Sequence, residues 1–185
     1  MMEEINGRVR HSAYGHRIER TQSPLRAYSI PIVTILLGSL SPLLPVIASA
    51  PLLPPLGYLF FLSWRLVRPG LLPLWAGIPF GLFDDLFSGQ PLGSAIMLWS
   101  LTMLALEVID NRYPWRNFVQ DWLLSIFFIA VYLVVSALVA GFNHGGVRLE
   151  LLLPQFVFSV LLYPIVAFVV GSLDNFRLRR VKRTA

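Results

Sequence analysis

The sequence predicts an all-α integral membrane protein built as a bundle of six transmembrane helices, and three observations carry that prediction. Apolar residues make up 56% of the 185-residue chain and charged residues only 14%, against about 25% charge in a soluble domain. Residues 27–64, 86–106, 122–147 and 151–173 contain no Asp, Glu, Lys or Arg, and a helix needs roughly 20 apolar residues to cross the hydrocarbon core. Fourteen of the fifteen Lys/Arg residues fall in alternate gaps between the apolar segments. Short loops rich in Lys/Arg stay in the cytoplasm, so both termini are expected there. Segments such as 123–139 do not alternate apolar and polar residues, which argues for helices over barrel strands.

Residues 1–27 read as a disordered cytoplasmic tail carrying Arg8, Arg10, Arg17, Arg20 and Arg26. The basic start, the apolar stretch and Ala48-Ser49-Ala50 imitate a secretory signal. That stretch is too long for one, however, and Pro42 and Pro45 interrupt it. The transmembrane domain is expected over 28–174, with its first span near 29–46. Prolines 45, 51, 54 and 55 force a turn. The second span, near 53–67, is short, is a candidate re-entrant arm, and would let Arg65 snorkel to the interface. Pro69 is expected to open the third span. This span has too few uncharged residues to cross before Asp84 and Asp85, which places both acids in the membrane or at its outer boundary. Pro79 is expected to bend it.

Pro91 is expected to start the fourth span, which ends near Val108, with Glu107 on a solvated helix end. Tyr113, Trp115 and Trp122 read as interfacial anchors. The fifth span covers about 119–141, and Gly141 to Gly146 form an outer loop. The sixth covers about 151–173, and 175–185 form a basic cytoplasmic tail. The charge of +5 sits at segment ends without an aromatic-rich groove, so nucleic acid is not an expected partner, whereas anionic lipid head groups are. The chain has no cysteine and three histidines, two of them in the tail. No catalytic signature is present, so an enzyme, a metal site and a cofactor are not expected.

The densest cluster runs from Gly77 to Gly93. Gly77, Gly81, Asp85 and Gly89 recur every four residues, which forms one stripe on a helix. Small residues let another backbone approach closely in lipid. An aspartate at a helix C-terminus is disfavoured by the macrodipole and costly in hydrocarbon. Asp85 is therefore expected to cap a turn or sit among head groups, to anchor a partner, or to coordinate an ion or substrate. His144 and Arg148 are the candidate internal partners. Asp84 and Asp85 point about 100° apart on a helix and do not form an acid/base pair.

Arg68-Pro69 followed by Gly81-xxx-Asp85-xxx-Gly89-xxx-Gly93, with Leu92 before the last glycine, resembles the signature of the MreD family of bacterial rod shape-determining membrane proteins. Asp85 falls on the family aspartate, and Asp84 is an extra acid. The resemblance implies a non-enzymatic inner-membrane scaffold of the cell-elongation complex that supports peptidoglycan synthesis and cell shape. It implies binding to MreC through its transmembrane helix, and indirect association with MreB and with the elongation glycosyltransferase and transpeptidase. Gly77, Gly81, Asp85, Gly89 and Gly93 are the expected partner-binding residues. The family's similarity in fold to substrate-binding subunits of energy-coupling-factor transporters implies the alternative, a membrane subunit that binds a vitamin-like small molecule.

Overall fold

The computed structural model describes residues 24–43, 53–89, 91–113, 115–144 and 152–178, and side chains from Tyr28 to Arg177 within those ranges except Phe142 to His144. The expectations for residues 1–23, the 44–52 turn, the loop containing Arg148 and the tail beyond Leu178 lie outside them. Six α-helices and no strand are found among the described residues: α1 (Pro24–Ser39), α2 (Leu56–Val67), α3 (Gly77–Ser88), α4 (Ser94–Arg112), α5 (Phe118–His144) and α6 (Leu152–Leu178). Three of them, α4, α5 and α6, are long and apolar enough to cross a membrane.

Proline and glycine set the boundaries. Pro24 stands in the first turn of α1, where no donor is needed, so this helix starts inside the segment that reads as tail. Pro55 precedes α2. Arg68 ends it because the residue before a proline disfavours helix. Pro69 lies in a turn and does not open the next helix, with Gly70 at φ 81° completing the reversal. A short 3-10 turn, Leu74–Ala76, leads into α3. Pro79 is the third residue of α3, a first-turn position where the N–H it lacks has no intrahelical partner anyway. Pro91 likewise lies ahead of α4, accepting the Ser94 N–H at 3.1 Å through its carbonyl. At the far end, α5 runs through Gly141 to His144, past the point where a loop is expected.

One of the two shortest helices, α2, is the centre. α1, α3, α4, α5 and α6 follow one another around α2, each packed on the next and α6 closing on α1. Nine of the twelve α2 residues are buried. A 12-residue helix is about 18 Å long and cannot cross a roughly 30 Å core alone. Sheathed by other helices, it meets protein on every side and does not need to match the bilayer. Phe61 meets Phe80 of α3 edge-on at 6.3 Å and Trp99 of α4 at 4.7 Å. Tyr58 stacks on Tyr132 of α5 at 4.2 Å. These rings fill the interior, and each such pair contributes about 0.5–1.5 kcal/mol beyond its buried area.

α1 and α2 cross closely at two glycines. A methyl group on Gly38 would lie 2.9 Å from the Gly57 nitrogen, and one on Gly57 would overlap Ser39. Outer faces are apolar. On α4, Met97, Leu101, Leu104 and Val108 are exposed at helical spacing. On α6, so are Leu153, Val157, Leu161, Ile165 and Phe168. Contact with lipid tails is the setting in which such stripes are stable.

Candidate functional site

The motif from Gly77 to Gly93 folds into one joint between α3 and α4. α3 ends at Gly89 (φ 68°) and α4 begins after Gly93 (φ 99°), two left-handed positions that favour glycine. Gly93 has no side chain to cap α4. The cap comes from Asp85 instead. Its carboxylate accepts the backbone N–H groups of Gly93 (2.8 Å), Ala95 (2.9 Å) and Ile96 (3.4 Å), and the Ser94 hydroxyl at 3.1 Å. A helix N-terminus offers unpaired donors and the positive end of its dipole. The anion that α3's own C-terminus disfavours is therefore stabilised by the start of α4. Of the roles expected for Asp85, capping a turn is the one this geometry displays.

The other stripe residues serve the same joint. A methyl group on Gly77 would lie 2.8 Å from the Ser100 nitrogen, and one on Gly81 would lie 2.6 Å from the Ile96 Cα. The glycine stripe is thus the surface on which α4 lies. A partner helix expected on that stripe meets a face already covered by the chain itself. His144 and Arg148, the expected counter-charges of Asp85, have no described side chains.

Asp84 faces a different side of α3, as the 100° turn between neighbours requires. It is 6% exposed and accepts a hydrogen bond from the Tyr132 hydroxyl at 3.4 Å. The Ser39 hydroxyl lies beside it, outside hydrogen-bonding geometry. Tyr132 stacks on Tyr58, whose hydroxyl pairs with that of Thr102 at 2.9 Å. A polar cluster thus enters the bundle core from α1, α2, α3, α4 and α5. As an acid extra to the motif, Asp84 gave no hint of this cluster. Tyr58, Thr102 and Tyr132 each sit singly in apolar runs.

At the other end, Arg65 does not snorkel. Its side chain is 2% exposed and bridges two acids of α4, Glu107 at 2.7 Å and Asp110 at 2.5 Å. Asp110 also pairs with Arg116 at 2.6 Å, and Arg116 donates to Asp121 of α5 at 3.0 Å. Glu107 is accordingly an ion-pair partner and more than a solvated helix end. Asp174 of α6 pairs with Arg177 at 2.6 Å and with Arg68 at 3.6 Å. The Arg177 guanidinium lies over the Trp64 ring, 5.8 Å from its centroid. Ion pairs therefore fasten α2 to α4 and α5 on one side and to α6 on the other. Of the expected anchors, Tyr113 and Trp115 are exposed, while Trp122 is partly buried.

A groove of about 240 Å³ opens between α5 and α6, lined by Ala130, Leu133, Val134, Leu152, Leu153 and Phe156. Among the described residues no group of three His, Cys, Asp or Glu side chains is placed to hold a metal ion. Comparison with protein-family models, curated proteins and solved structures returns no match.

Proposed function

We propose that this chain is an inner-membrane scaffold of the MreD type, non-enzymatic, that binds MreC through its transmembrane helix and so supports peptidoglycan synthesis and cell shape. MreB and the elongation glycosyltransferase and transpeptidase are its indirect associates. In this reading all six helices are embedded, the Arg65 end faces the cytoplasm with both termini, and the Asp85 end faces outward.

One observation carries the reading. Gly81, Asp85, Gly89 and Gly93, which bear the family resemblance, converge on a single α3–α4 joint, two by left-handed backbone, one by close approach and one by capping. That joint fixes a hairpin without leaving a reactive group exposed, which suits a rigid support. Because the Gly77/Gly81 face is packed against α4, the partner helix is assigned to the α5–α6 groove. That groove has apolar walls. A small-molecule pocket needs a few converging polar groups, so the groove suits a helix better than a vitamin-like ligand.

The test is affinity purification of the full chain from native membranes of a rod-shaped bacterium. The scaffold reading expects a single-span protein, MreC, at near-equal amount. A co-purifying ATPase module or a tightly held small molecule would favour the transporter subunit.

A further inference from the structure

The ion pairs at the Arg65 end divide into two groups. Arg65 and Arg116 face Glu107, Asp110 and Asp121, two cations against three anions. Arg68 and Arg177 both pair with Asp174. The two arginines of the second group are not equivalent. Arg177 is 5% exposed, holds Asp174 at 2.6 Å and covers Trp64. Arg68 is 48% exposed and stands 3.6 Å from the same carboxylate, beyond hydrogen-bonding distance.

Its position defines what can reach it. Arg68 follows the last residue of α2 and meets the last turn of α6, whose membrane-crossing stretch ends at Arg177. Val67 and Phe176 beside this pair are exposed and apolar. A half-exposed guanidinium beside apolar side chains at the end of a membrane-crossing helix matches a ligand with a phosphate joined to acyl chains. Arginine's planar fork suits phosphate oxygens. Four more bases, Arg179, Arg180, Lys182 and Arg183, follow in the sequence and raise the local concentration of anionic lipid.

We infer that Arg68, at the α2–α6 junction, is the head-group site for an anionic phospholipid, which binds through its phosphate while its acyl chains lie along α6. The site requires the folded junction, because Arg68 reaches it only when α2 packs against α6. That distinguishes it from the basic tail, whose charges attract lipid whether or not the bundle is folded. A ligand that binds only the folded state raises the unfolding temperature, and one that binds both states does not. The site is independent of the partner proposed above.

The experiment is thermal unfolding of the full chain in neutral detergent micelles containing phosphatidylglycerol, phosphatidylcholine or neither, with inorganic phosphate as a separate arm. Phosphatidylglycerol is expected to raise the midpoint by about 3 °C, and phosphatidylcholine and inorganic phosphate to leave it unchanged. Arg68→Gln should abolish the phosphatidylglycerol shift while keeping the midpoint found in phosphatidylcholine. Arg68→Lys, which keeps the charge without the fork, should retain part of it. A full shift in Arg68→Gln would overturn the site, as would no shift in the unaltered chain. An equal shift with inorganic phosphate would make it a soluble-anion site and overturn the lipid assignment.

Discussion

The carboxylate of Asp85 accepts the Ala95 backbone N–H at 2.9 Å, so the last turns of α3 hold the first turn of α4. Removing that acceptor orphans several donors together. Asp85→Ala should destabilise the chain by about 2–4 kcal/mol, more than an ordinary cap, because the lost bonds are to a charged group in a water-poor site. Asp85→Asn keeps one acceptor oxygen and should lose about half as much. Reversible unfolding in mixed detergent, followed by circular dichroism, gives both values.

Gly81 lies against the α4 backbone, and Gly89 meets no atom but sits at φ 68°. The two should fail differently. Gly81→Leu drives α3 and α4 apart and should abolish the folded state or leave it aggregation-prone, as read by gel filtration. Gly89→Ala should cost only about 1 kcal/mol, from left-handed strain. Equal mild effects from both would remove the close approach from the explanation.

Arg65 compensates two acids at once. Arg65→Ala should cost about 1–3 kcal/mol, since it removes a buried guanidinium and leaves the part-exposed Glu107 without its cation while Asp110 keeps Arg116. Arg65→Met combined with Glu107→Gln and Asp110→Asn removes both signs of charge and should recover most of that loss. If the triple variant is no better than the single one, the network is not what holds α2 to α4.

Tyr58 and Thr102 exchange a buried hydroxyl bond at 2.9 Å. A double-mutant cycle with Tyr58→Phe and Thr102→Val should return a coupling of about 0.6–1.5 kcal/mol, the range for side-chain hydrogen bonds in membrane interiors. A coupling of zero would separate the two hydroxyls energetically.

Long-period signals are legible in the sequence, and pairings across the bundle are not. α4, α5 and α6 stand in uncharged runs, and their helices appear where those runs are. Prolines 69 and 91 mark breaks correctly but suggest starting points ahead of the helices at Gly77 and Ser94, because a proline marks the end of one element as readily as the first turn of the next. The glycine stripe announced a close approach without saying to what, since its partner α4 is set by how the hairpin folds back. Arg65 read as a snorkelling end residue because Glu107 and Asp110 lie some forty positions away in sequence. Gly38 and Gly57 belong to different helices, so no spacing rule could pair them. The central place of α2 was likewise invisible, because a short apolar helix reads the same whether it faces lipid or protein.

The scaffold account rests on a partner helix seated between α5 and α6. Photoreactive residues placed at Val134 and Leu153, both exposed in that groove, should crosslink in native membranes to a single-span protein identified as MreC. A probe at Leu101, on the outer face of α4, should give lipid adducts only. Crosslinking to MreC from Leu101 and not from the groove would contradict the assigned face, and no protein adduct from any position would contradict the scaffold itself.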